Sequence, residues 1–309
     1  MDAPRIRGAA DAPAEHVAPA DQTAPPAARE APAHVWRPGE LAALTRTQAA
    51  AARAERTGPP GLRIRGLQKR FGARTVLDGV DLDVARGELV AVLGANGSGK
   101  STALRCVVGL AEPNAGSIHL GEQELVGLRG GALVAARREA AMIFQQIHLV
   151  RRRTALDNVC CGALGRLPLS RSLTPALFPR ALREEAMACL HRVGLADRAG
   201  DRASRLSGGQ QQRVAIARAL CQGASVILAD EPVAALDPAA AEQVMALLAE
   251  LAHEEGLAVA AVLHQPALAR RHADRLVGLL GGRVAFAGRP DEVGVDRVDA
   301  LYAPEQVAA

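Results

Sequence analysis

The chain has 309 residues, 49% of them hydrophobic, and carries 37 Lys plus Arg against 33 Asp plus Glu for a formal charge of +4 and a pI near 9.1. That apolar content is enough for a substantial core, yet no run approaches the roughly 18 apolar residues of a membrane-spanning helix, the longest being the strand-sized stretch 257–263. Five cysteines without CxxC spacing argue against a disulfide framework or a zinc site, and basic residues interspersed with acids read as a solvated surface, with no nucleic-acid partner expected.

Residues 1–60 are rich in Ala and Pro without a sustained apolar face, which predicts a disordered extension. Its first twenty residues contain no apolar h-region, so no secretory signal is expected. Residues 41–54, just after Trp36, have the composition of a short helix. Order is predicted from Leu62, where Leu62, Ile64 and Gly66 alternate with Arg63 and Arg65, and a second strand alternates from Val80 to Val84. After the Arg86-Gly87 turn, residues 88–93 form an apolar run ending in glycine, as a strand buried on both faces does.

The next residues are Gly94-Ala95-Asn96-Gly97-Ser98-Gly99-Lys100-Ser101, followed by Thr102. This is the full phosphate-binding loop pattern between a strand and a helix. Glycines let backbone N–H groups turn toward phosphates, the helix start adds its positive end, Lys100 supplies a point charge, and the Ser101 hydroxyl suits Mg²⁺. Lys100 is one of only two lysines, the other being Lys69.

From about residue 147 to 205 the pattern is helical and irregular, interrupted by Pro168, Pro175 and Pro179, with an amphipathic run at 183–193. It reads as an inserted helical subdomain. Ser207-Gly208-Gly209-Gln210 then opens a helix over 211–220, so that two residues without side chains expose N–H donors backed by a helix dipole. Because the phosphate loop already supplies one such helix end, a second is most simply explained by a nucleotide bound to another copy. The strand at 225–230 delivers Asp230 and Glu231 at its C-terminal end, where α/β sheets bind ligands; Asp230 would hold Mg²⁺ through water and Glu231 would polarise an attacking water. A helix with Val244, Leu247, Leu248 and Leu251 on one face, a buried strand ending at His264, and a hairpin about Gly281-Gly282 complete the pattern.

From about 62 to 288 these motifs resemble the nucleotide-binding subunit of ATP-binding cassette (ABC) transporters. The resemblance implies an α/β fold: a P-loop NTPase core with a mainly parallel sheet, an N-terminal antiparallel β subdomain and an inserted α-helical subdomain. The domain would span 61–290, with its core in 61–146 and 206–290 and the helical part at about 147–205, before a tail at 291–309. It further implies ATP and Mg²⁺ as cofactors, and two subunits enclosing two ATP molecules, each loop 94–102 facing the partner's residues 207–210. Gln145 matches the glutamine that senses Mg²⁺ and the attacking water, His264 the histidine on the γ-phosphate, and Asp237 the aspartate after the acidic pair. Ala234 departs from the family's usual serine. Phe71 stands where the family places an aromatic against adenine, with core packing as the alternative.

The resemblance extends to partners and place: a homodimer or paired ATPase subunits docked on two transmembrane permease subunits, a separate periplasmic solute-binding protein, and a peripheral position on the cytoplasmic face of the bacterial inner membrane. Residues 143–150, 162–168, 226–232 and 263–265, with Gln265 after the histidine, are similar to the phosphonate importer ATPases. That implies import of phosphonates or related phosphorus oxyanions. Another solute, such as phosphate, an amino acid or a released lipoprotein, is the first alternative, and an ABC ATPase acting on nucleic acid or ribosomes is the second. Against the second, residues 102–206 show no sustained heptads.

Overall fold

The computed structural model describes residues 61–168, 170 and 175–303, so the extension at 1–60, with its short helix, lies outside the described residues. Strands β1 (Leu62–Phe71) and β2 (Arg74–Val84) form an antiparallel pair. The Gly72-Ala73 turn joins them, with Gly72 at φ 59°. β3 (Leu89–Leu93) leads into helix α1 (Lys100–Val107), and β4 (Ala115–Leu120) and β5 (Gln123–Glu124) follow. Helix α2 (Gly130–Arg137) precedes β6 (Ala140–Ile143).

Helices α3 (Ala155–Cys160), α4 (Arg180–Arg192) and α5 (Gly208–Gln222) come between β6 and β7 (Val226–Asp230). Thr154 caps α3 by accepting from Asp157 N–H, and Pro179, which is disfavoured in a helix interior, stands at the N-cap of α4. Next are α6 (Pro238–Glu255), β8 (Ala258–Val262), α7 (Pro266–His272), β9 (Arg275–Leu280), β10 (Arg283–Gly288) and α8 (Val295–Asp299).

The strands form a four-stranded antiparallel sheet, β2-β1-β4-β5, and a six-stranded sheet, β10-β9-β3-β8-β7-β6. In the second, β9, β3, β8, β7 and β6 are parallel and β10 is an antiparallel edge. This is the α/β architecture the sequence predicts. Alternation along β3 sends Leu89, Ala91 and Leu93 to one core and Val90 and Val92 to the other. The second core lies against the antiparallel sheet and α1, through Leu62, Ile64, Leu77 and Leu104. The first is covered by α3 to α7. Helix α5 packs on α3, α4 and β6, and so touches both the helical layer and the sheet.

Two differences from the sequence pattern have local causes. β2 begins at Arg74, well before the alternation at Val80, because Gly79 at φ 78° interrupts the side-chain period. Beyond residue 290, where the sequence reading places a tail, Val293, Val298 and Leu301 are buried in the core. Among the described residues no helix is long and apolar enough to cross a membrane.

Candidate nucleotide site

Because β3, β6, β7 and β8 are parallel, their C-terminal ends share one edge, and the phosphate loop, Gln145, Asp230-Glu231 and His264 all follow those ends. The loop's geometry requires its glycines. Gly94 is at φ 151°, where a Cβ would lie 2.3 Å from the Leu279 carbonyl oxygen; Gly99 is at φ 103°, where a Cβ would lie 2.6 Å from Leu77 Cδ2. Gly99 is also the N-cap of α1 and supplies no side chain to it, so the first-turn N–H groups of that helix are left for an anion.

Lys100 is 4% exposed, and its ammonium donates to the carbonyls of Gly94 and Ala95, both at 2.8 Å. Burial pushes its pKa below the ordinary lysine range, while Glu231 and Asp230 draw it back upward. Ser98 Oγ is buried without a hydrogen-bond partner among the described residues. Such a group in a loop of inward-turned backbone fits a phosphate oxygen.

Ser101 Oγ donates to Asp230 Oδ1 at 2.7 Å, which joins the start of α1 to the end of β7. A hydroxyl and a carboxylate, both hard oxygen donors, are the chemistry Mg²⁺ prefers. Glu231, the next residue, has φ 52°, one of two non-glycine residues with positive φ among those described. That turn carries its carboxylate away from Asp230 to His264, where Nε2 and Glu231 Oε1 are 2.6 Å apart. A carboxylate only accepts, so Nε2 carries the proton in this contact.

Lys100, Ser101 and Glu231 border a cleft of about 260 Å³ whose lining also includes Arg74, Val76, Asn96, Gly97, Gly99 and Thr102. Arg74 and Val76 are absent from the sequence-based assignment. Their signal lay in the part of β2 whose alternation Gly79 obscures. Phe71 is 54% exposed, which rules out the core-packing alternative, and Lys69 Nζ sits 4.8 Å from its ring centroid. Gln145 is exposed just beyond β6.

Residues 207–210 are not part of that lining. Ser207 caps α5, its Oγ accepting from Gln210 N–H at 3.3 Å, while Ser207 N–H donates to Gln210 Oε1 at 2.9 Å. Gln210 is therefore occupied with its own helix end in a capping box. A Cβ on Gly208 would lie 3.4 Å from Leu236 and one on Gly209 3.1 Å from Ala240, so the turn rests on the start of α6. There Asp237 Oδ1 accepts from Ala240 N–H at 2.9 Å as the N-cap. Of the predicted residues, Asn96, Gly97, Gly99, Lys100, Ser101, Thr102 and Glu231 line the cleft, Asp230 and His264 join them through hydrogen bonds to Ser101 and Glu231, and residues 207–210, Asp237, Phe71 and Gln145 are outside its lining.

A family model described as "ABC transporter" matches residues 77–234. The phosphonates import ATP-binding protein PhnC of Rhizobium johnstonii is 44% identical over 80% of this chain and 88% of its own length. The protein of the same name from Frankia casuarinae is 51% identical over 73% and 88%. The phosphate-import ATP-binding protein PhnC of Mycolicibacterium smegmatis is 50% identical over 79% and 91%. Among solved structures, a nucleotide-free ABC-transporter cassette aligns with a TM-score of 0.68 at 25% identity, covering 80% of this chain and 97% of the other. A dimeric post-hydrolysis cassette bound to ADP and Pi aligns with a TM-score of 0.63 at 34% identity, covering 74% and 98%.

Proposed function

The chain belongs to the ABC transporter family as an ATP-hydrolysing subunit, and we propose that two copies close on two ATP molecules to drive import of a phosphorus oxyanion. The observation that carries the dimer is the separation just described: the cleft around Lys100 has no contribution from residues 207–210, which present a second anion-suited helix end elsewhere. Ser207 Oγ uses an acceptor lone pair on Gln210 N–H and keeps its own proton to donate to the partner's γ-phosphate.

Within one copy, backbone N–H groups of the phosphate loop and Lys100 bind the β- and γ-phosphates, and Phe71 supplies a face for adenine. Ser101, Asp230 and Gln145 would hold Mg²⁺, which neutralises charge developing on the phosphate oxygens. Nε2–H of His264 passes from Glu231 to a γ-phosphate oxygen, and the carboxylate released in this way accepts a hydrogen bond from the attacking water. Catalysis is then mainly positioning and electrostatics.

The relatives carry two cargo names, phosphonates and phosphate, and tetrahedral phosphorus oxyanions are what the two have in common. In this reading two permease subunits and a periplasmic binding protein select the solute, and the chain works at the cytoplasmic face of the membrane. The test is ATP hydrolysis by the chain reconstituted with its permease and binding protein. Stimulation by methylphosphonate or phosphate supports the proposal; stimulation by an amino acid alone, or by RNA without the permease, overturns it.

A further inference from the structure

Residues 144–150 leave β6 and carry Gln145 in an unusual backbone path. His148 has φ 48°, and its ring meets that of Phe144 edge-on, with centroids 5.5 Å apart at 84°. Farther along, Asn158 is 1% exposed; its Oδ1 accepts from Val150 N–H at 2.7 Å and its Nδ2 donates to Val150 and Thr154 carbonyls. Between these anchors the Arg218 guanidinium donates from Nη1 to the His148 carbonyl at 3.0 Å and from Nη2 to the Ile147 carbonyl at 3.1 Å.

Arg218 belongs to α5, ten residues after Gly208, or about 15 Å along the helix at its usual rise. Its backbone packs closely on Gly162, where a Cβ would lie 2.1 Å from the Arg218 carbonyl oxygen. Arg218 is half-buried, and burial lowers its pKa below the ordinary arginine range. A desolvated arginine kept for stability alone is ordinarily paired with a carboxylate, and among the described residues half-buried Arg218 has none. This one uses its two-pronged donor geometry on consecutive carbonyls of the loop that bears Gln145.

We propose that Arg218 is a positioning residue: it ties the Gln145 loop to α5, so that the helix presenting Ser207 and Gly208 to one nucleotide also sets Gln145 at the other. This rests on the composite site and the Gln145 role proposed above. A movement of α5 on engaging the partner's nucleotide is carried to the loop by two hydrogen bonds from one rigid group. A lysine ammonium can reach two carbonyls, as Lys100 does, but it lacks the planar fork with which the guanidinium fixes their register.

The test uses the full chain with Arg218→Lys, Arg218→Met, Gln145→Ala and the Gln145→Ala/Arg218→Met double variant. Steady-state Mg·ATP hydrolysis, thermal unfolding and hydrogen exchange over 144–150 without nucleotide are measured for each. Arg218→Met is expected to lower kcat about tenfold, with KM within about twofold, as loss of a group orienting a ligand does. Arg218→Lys should fall between it and the unsubstituted chain, and serves as the probe if the methionine variant is unstable. Exchange over 144–150 should accelerate while exchange over 226–230 stays unchanged, and the double variant should be no slower than Gln145→Ala alone. Unaltered kcat, unaltered exchange over 144–150, or losses that multiply in the double variant overturn the proposal for Arg218 while leaving Gln145 its role. Normal hydrolysis by Gln145→Ala removes that role and this inference with it.

Discussion

The imidazole of His264 and the carboxylate of Glu231 meet at 2.6 Å across the ends of adjacent parallel strands, β8 and β7. Each holds the other at the mouth of the phosphate cleft. Glu231→Gln preserves size and hydrogen bonding but removes the base. It is expected to keep ATP affinity and lower hydrolysis by about a hundredfold or more. Equilibrium nucleotide binding beside single-turnover hydrolysis measures both, and near-normal turnover would exclude Glu231 as the group that polarises water.

The division of the site between two copies predicts complementation. Lys100→Ala disables the phosphate loop, and Gly208→Asp places a carboxylate where the partner's γ-phosphate would lie. At the first turn of α5 an aspartate is otherwise favourable to the helix dipole, so folding should not suffer. Each variant alone should be inactive. Mixed before addition of ATP, they form heterodimers in which one of the two sites is fully native, and activity returns. No recovery on mixing, with heterodimers detected, would refute the division.

Gly99→Ala tests the loop geometry within one copy. A Cβ there meets Leu77 Cδ2 at 2.6 Å and the Val76 carbonyl oxygen at 2.8 Å, at a backbone φ of 103° that alanine rarely adopts. Loss of ATP binding with a destabilisation of about 2 kcal/mol is expected. Calorimetry of unfolding with and without ATP reads the two effects separately. A Gly99→Ala chain that binds ATP with native affinity contradicts this account of the loop.

Phe71 is exposed, so its removal should leave stability intact. Phe71→Ala is expected to weaken ATP binding about tenfold, within the roughly 1–3 kcal/mol of one base–aromatic stack, while Phe71→Trp retains it. Titration with ATP and with inorganic triphosphate checks this, because triphosphate lacks the base and should bind both variants alike. Equal ATP affinity in the alanine variant would assign adenine to another surface.

Much of this was legible in the chain because its strongest signals are local. A strand, a glycine loop and a helix are contiguous at 89–107, and Ser207 with Gln210 forms a capping box within four residues. The order β10-β9-β3-β8-β7-β6 could not be read from periodicity, since buried parallel strands all appear as similar apolar runs. The sequence pattern starts β2 only at Val80 because Gly79 breaks its alternation, which also hides Arg74 and Val76. Arg218 gave no signal at all: its partners are backbone carbonyls seventy and seventy-one residues away, and a carbonyl has no letter in a sequence.

The left-handed backbone of Glu231 sets the folding interest of this chain against its chemical one. Glycine adopts φ 52° freely and asparagine more easily than glutamate. Selection for thermal stability alone would therefore favour Gly or Asn at position 231, and would enrich robust proteins that bind ATP and cannot turn it over. A stabilisation campaign on this chain has to hold that position fixed, or score every round by turnover.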